Sequence, residues 1–194
     1  MEWHCCEFGG LSAVDLYAIL HARNAVLVVE DAHTHLDVDG KDAGALHVFA
    51  LVRGGDGTAQ VAAYARVLPG DDIDPDTLID KVLTSEAHRD DNTLDRLIEQ
   101  TLAAALAAWP GAAVRVHAPR HRQAFYQRFG FRKAYGPYLE HGAPFVGMVR
   151  ATDRAAGALQ QMLRRVAGAR NLRRDDTCAD NLAHRPLSVD SGAH

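Results

Sequence analysis

Cysteine is scarce in this chain, and what there is lacks a framework. Three occur in 194 residues. Cys5 and Cys6 are adjacent and Cys178 is far away, which matches neither a set of paired disulfides nor the spacing of a structural zinc site. They read as free thiols, with Cys5 and Cys6 buried beside Trp3 in the opening segment. Basic charge is also lacking. The formal net charge is -4, which argues against a general nucleic-acid binder, because neutralising phosphates needs a basic surface. No apolar run reaches the roughly 18 residues of a membrane span, and no basic segment followed by an apolar core opens the chain. Neither membrane insertion nor export is expected, and a cytoplasmic location is.

Apolar residues are plentiful, at 47% of the sequence, enough for one sizeable core. The length suits one domain with extensions. Ser12 precedes Leu16, Ile19 and Leu20, with Asp15 three residues on, which predicts a capped helix ending near Arg23. Ala25 to Val29 is a short β-branched run and reads as a strand, followed by a polar loop from Asp31 to Ala43. Two strands, Ala45 to Val52 and Gln60 to Leu68, flank Arg53-Gly-Gly-Asp-Gly57 and predict a hairpin. Leu78 to Thr84 reads as a fourth strand, and Ser85 to Asn92 as its connector to a helix.

That helix carries Leu94, Leu97, Ile98, Leu102, Ala105, Leu106 and Trp109 at three- and four-residue spacing, one apolar stripe that would lie on a sheet, and Pro110-Gly111 stops it. Val114 to Ala118 follows as a strand, His121 to Phe129 as a short amphipathic helix, and Phe131 to Tyr135 and Phe145 to Arg150 as closing strands. The expected domain is residues 1–150, an α/β (α+β) fold with a mixed sheet of six to seven strands flanked by helices. Residues 151–174 read as a basic amphipathic helix with a solvated arginine face, and 175–194 as a flexible tail.

The order of these elements, together with Val28-Val29-Glu30, Asp37-Val-Asp-Gly-Lys-Asp42, Ala63-Tyr-Ala-Arg-Val-Leu68, Trp109-Pro110, Phe125-Tyr126, Phe129-Gly-Phe131 and Gly147-Met148, resembles the GNAT (Gcn5-related) N-acetyltransferases, in their ElaA-like branch. The resemblance spans most of residues 1–150. It implies an acetyl-CoA-dependent N-acetyltransferase that passes the acetyl group directly to a small-molecule or protein amine. Acetyl-CoA would be held by amides of the fourth strand, Val82, Leu83 and Thr84, and by the connector and helix start, Arg89, Asp90, Asn92, Thr93 and Leu94. A helix N-terminus offers free N–H groups and partial positive charge to a pyrophosphate. Tyr126 would be the general acid to the departing thiolate. The general base falls to Glu30 or His33, and His35, Asp37 and Asp39, with Asp42, border the expected amine site.

The connector departs from the family's pattern, which places small residues where this chain has Asn92 and Leu94. Asp90 and Asp91 add negative charge where a pyrophosphate would sit, a repulsion comparable, after screening, to a tenfold to hundredfold loss of affinity. The same aspartates, with Asp95, suit a helix N-cap and first turn. Asp80-Lys81 stands where the pattern has Gly-Arg, and Phe145 where it has His. The alternative is therefore a catalytically silent domain that no longer binds acetyl-CoA and serves as a binding or regulatory module, with a homodimer left open. A third reading takes His33-Thr-His35 as two imidazoles of a metal-dependent hydrolase. The aspartate loop is not a calcium loop, because its glycine falls too early and Val48 stands where a glutamate is needed.

Overall fold

The computed structural model describes residues 1–31, 36–54, 58–140 and 142–152. The expected basic helix and tail lie outside these, as do His33, His35, Cys178 and residues 55–57 of the hairpin turn. Seven strands form one sheet: β1 (Glu2–Glu7), β2 (Leu46–Arg53), β3 (Ala59–Leu68), β4 (Thr77–Thr84), β5 (Val114–Pro119), β6 (Arg132–Glu140) and β7 (Ala143–Arg150), in the order β1-β2-β3-β4-β5-β7-β6. All neighbours are antiparallel except β4 and β5, which α2 (Thr93–Ala108) joins as a parallel crossover. The other helices are α1 (Ala13–Arg23) and α3 (Gln123–Arg128).

Two expectations change. Ala25 to Val29 is no strand: the chain runs on from α1 into a π-helical segment, Asn24–Glu30, whose wide turn closes with the Asp31 amide donating to the Val26 carbonyl at 2.9 Å. The β-branched run favours a strand locally, but Leu27 packs with Ile19 against Phe49, Val61, Tyr64 and Leu83, and that packing outweighs propensity. Conversely, Glu2–Glu7 pairs with β2 from Glu2↔Leu51 to Glu7↔Leu46. Cys5 and Cys6 point to opposite faces of this strand, Cys5 exposed rather than buried and Cys6 half-buried, both free.

Elsewhere the sequence periods hold. The Ser12 hydroxyl accepts from the Asp15 amide at 3.1 Å while Asp15 reaches back to the Ser12 amide, a reciprocal cap on α1. Alternation along β2 and β3 sends Val48, Ala50, Ala65 and Val67 to the α2 face, against Leu97, Ile98, Leu102 and Ala105, and Phe49 and Tyr64 to the α1 face. Burying each large aliphatic side chain of α2 contributes about 1.5–3 kcal/mol.

The loop between α1 and β2 is tied down by buried charge. Arg23, fully buried at the end of α1, donates through Nε to Asp37 Oδ2 (2.8 Å), through an amino group to the Asp37 carbonyl (2.7 Å), and through the other to Asp42 Oδ1 (2.6 Å). Arg66 on β3, also fully buried, uses its whole donor fork: two bonds to Asp39, two to Asp80 and one to Asp42, at 2.7–3.1 Å. Lys81 Nζ pairs with the other Asp37 oxygen at 2.8 Å. Beneath them, His47 Nε2 donates to the Asp42 carbonyl at 3.1 Å, which leaves Nδ1 to accept from the Tyr64 hydroxyl at 2.9 Å.

Candidate active site

Strands β4 and β5 pair only over Thr77–Ile79 and Val114–Val116. Beyond Ile79, β4 bulges: Lys81 and Val82 stand opposite Ala65, between the pairs Tyr64↔Leu83 and Arg66↔Asp80. Lys81 takes a left-handed φ of 52°, a strained conformation for a lysine, and Asp37 holds its ammonium in place. β4 veers away while β5 stays with β7. From Asp80 to Thr84, the edge of β4 therefore has no β5 partner and faces a cavity of about 540 Å³, within the range of small-molecule sites.

The π-helical segment closes one side of this cavity with Val26, Leu27, Glu30 and Asp31, and α3 closes another with Tyr126. Gly130 ends α3 in the left-handed region (φ 84°), its amide donating to the Gln127 carbonyl at 3.0 Å and the Phe131 amide to the Tyr126 carbonyl at 3.3 Å. This double closure is why Phe-Gly-Phe follows Phe-Tyr: it fixes the last turn, and with it the Tyr126 ring, packed edge-on against Phe125 and Phe131. Tyr126 is 4% exposed, and burial pushes its pKa up to about 12.

Of the residues expected to hold a cofactor, Val82, Leu83, Thr84 and Arg89 line the cavity, and Asp90, Asn92, Thr93 and Leu94 stand at the adjoining start of α2. The Asp91 carboxylate accepts from the Thr93 amide at 2.7 Å and meets His88 Nδ1 at 3.0 Å. The Thr93 and His88 hydrogen bonds draw its pKa down to about 2. Asp91 thus acts as a cap for α2, while Asn92 makes no side-chain cap bond. Asp90 is exposed and Thr93 is buried.

Glu30 and Arg89, expected as base and cofactor ligand, form an ion pair with each other at the cavity wall. Asp37 and Asp39 do not line the cavity. Their carboxylates face Arg23, Lys81 and Arg66, and those cations hold both carboxyls below the usual range against the opposing effect of burial. They anchor a loop in this structure and present no free oxygen to an amine. Sequence reasoning missed the other polar lining: His117, His121, Arg122 and Glu140. His117 left no trace, since it holds an outward position in a regular alternation that buries Val114, Val116 and Ala118, where any polar residue is ordinary. Among the described residues, no three His, Cys, Asp or Glu side chains stand together as a metal site, and His33 and His35 fall outside them.

The parallel pair splits at a bulge, with a helix start at one end and a buried tyrosine lining the same cavity, and the chain belongs to the GNAT acetyltransferase family. The family profile described as an acetyltransferase (GNAT) domain matches residues 58–151. Protein ElaA of Escherichia coli K12 is 36% identical over 155 residues, 80% of this chain and 99% of that protein. The crystal structure of Escherichia coli ElaA superposes with a TM-score of 0.69 at 36% identity, over 77% of this chain and 98% of that one. An acyl-CoA N-acyltransferase from Pseudomonas aeruginosa superposes with a TM-score of 0.70 at 35% identity, over 78% of this chain and all of that one (100%).

Proposed function

We propose that this domain transfers an acetyl group from acetyl-CoA directly to an amine of a small molecule or an exposed protein, in the cytoplasm. The observation that carries the reading is the opening between β4 and β5 with Tyr126 beside it. Residues present fit the donor: the free edge of β4 at Val82, Leu83 and Thr84 would supply main-chain hydrogen bonds to a pantetheine arm, and the amides of Leu94 and Asp95 in the first turn of α2 would hold a pyrophosphate, joined by Arg89 on release from Glu30. Acetyl-CoA supplies the activated acyl carbon. Tyr126, kept protonated by burial, supplies a proton to the departing sulfur.

Calorimetric titration with acetyl-CoA tests the reading, with micromolar binding expected. No binding at millimolar ligand favours the silent module instead, a reading supported by the Glu30–Arg89 pair and the acidic connector. Asp90→Asn tests the acidic connector. Removing this exposed charge tightens acetyl-CoA binding about 3- to 10-fold at low salt, and the gain shrinks as salt rises. An unchanged dissociation constant at low salt would show that Asp90 does not oppose the pyrophosphate.

A further inference from the structure

Past the last β4–β5 pair, Ile79↔Val116, the first residues in the opening are Asp80 and His117. Asp80 is held by Arg66. His117 is held from the far side: its Nε2 meets the Tyr135 hydroxyl at 3.0 Å. The two side chains reach each other across β7 at Gly147, which pairs with His117 on one edge and Tyr135 on the other. A Cβ at Gly147 would come within 2.2 Å of the Tyr135 ring, so the contact requires glycine there. In the tautomer whose Nε2–H donates to Tyr135, Nδ1 keeps its lone pair.

Glu140 lies in the same cavity, with Tyr138 beside it and edge-on to His117. Glu140 Oε2 and the Tyr138 hydroxyl are buried without a well-formed hydrogen bond among the described residues. The two stand against each other, and Glu140 lines the cavity beside that hydroxyl, so a ligand that brings a donor can reach its carboxylate.

We propose, building on the transferase reading, that His117 is the base that deprotonates the acceptor and Glu140 the carboxylate that draws it in. The acceptor is then a primary alkylammonium with no carboxylate next to its nitrogen. His117 takes one proton from R–NH3+. The freed lone pair attacks the thioester carbonyl carbon as the C–S bond breaks. Sulfur leaves with the bonding pair and takes the Tyr126 proton. The nitrogen, now bonded to the acyl carbon, sheds a second proton that restores Tyr126 through water, and the imidazolium releases its own to solvent. One amide, one thiol and one proton result.

The imidazole suits this work: the side chain is exposed at the cavity, but partial desolvation among its neighbours lowers its pKa below the usual value, opposed by Glu140 and Asp80 and helped by Arg115. It is therefore neutral at pH 7, and the reaction weakens as pH falls through that lowered pKa.

The test measures acetyl-CoA-dependent acetylation of propylamine and 1,4-diaminobutane, with glycine and alanine as carboxylate-bearing controls. Wild type prefers the first two, with an acid limb in kcat/KM below about pH 6.5. In His117→Gln, kcat/KM at pH 7 falls about 100-fold or more, KM for acetyl-CoA is unchanged, and the limb moves up towards the amine's own pKa near about 10. Glu140→Gln raises KM for propylamine about 10-fold. A His117→Gln enzyme with wild-type kcat/KM and an unmoved limb overturns the base assignment. Preference for glycine overturns the acceptor class. Wild type that neither binds acetyl-CoA nor acetylates any of the four amines overturns the transferase reading and this proposal with it.

Discussion

Arg66→Met lowers the free energy of unfolding by about 3–5 kcal/mol, the loss expected when one partner of a buried ion network is removed and the others stay behind. The side chain is fully buried, and all five of its N–H groups meet carboxylate oxygens of Asp39, Asp42 and Asp80. Methionine fills the volume but leaves three aspartates facing one another, with Asp42 still shared by Arg23. The Asp37–Asp42 loop should detach first, and the bulge at Lys81 should relax with it, because Lys81 is held by Asp37. Urea unfolding followed by far-ultraviolet circular dichroism measures the effect. A loss below about 1 kcal/mol would mean that the loop is held by other contacts. The same network sets an acid limit: the folded-state pKa values of Asp37 and Asp39 lie below their unfolded values. Their contribution is thus complete above the unfolded value near about 3.9 and is lost as pH falls from there through the folded ones. In Arg66→Met this acid-dependent loss should shrink.

Where the sequence was readable, the determining interactions were local or periodic. The Ser12–Asp15 cap, the β2–β3 hairpin and the apolar stripe of α2 are each set by residues a few positions apart, and each lies where expected. Asp37 and Asp39, expected to border an amine, stand instead among buried cations, for the opposite reason. Their partners stand 14 residues away, at Arg23, and 27 away, at Arg66, on elements that meet only in the fold. A signal existed all the same: an arginine inside the apolar run Val61 to Val67 cannot be buried alone, so it demanded carboxylates from elsewhere in the chain. Ala25 to Val29 failed because five apolar residues fit a strand or a buried helix equally well, and Glu2–Glu7 because its alternation is weak. The expected strand count survived by compensation, one strand withdrawn and one gained. Glu30 and Arg89 were both placed at the site, but their pairing across 59 residues has no sequence signature.

On the proposed transferase reading, Tyr126→Phe reduces kcat about 100-fold while leaving the dissociation constant of acetyl-CoA and the unfolding free energy close to wild type. The phenol is fixed by the closure of α3 at Gly130 and by edge-on packing against Phe125 and Phe131, contacts that phenylalanine reproduces. The substitution therefore removes one hydroxyl and little else. Burial pushes that hydroxyl's pKa up to about 12, so it is a proton donor throughout the physiological range, the property wanted opposite a departing thiolate. An effect confined to the departing group appears in kcat and not in cofactor affinity, because the interaction strengthens only as charge develops on sulfur. A leaving group that needs less protonation should recover part of the loss, so a thioester of a more acidic thiol would narrow the gap between wild type and Tyr126→Phe. Equal loss with every thioester would move Tyr126 from proton donor to packing residue, and a loss of acetyl-CoA binding would place its hydroxyl in the cofactor's ground-state contacts instead.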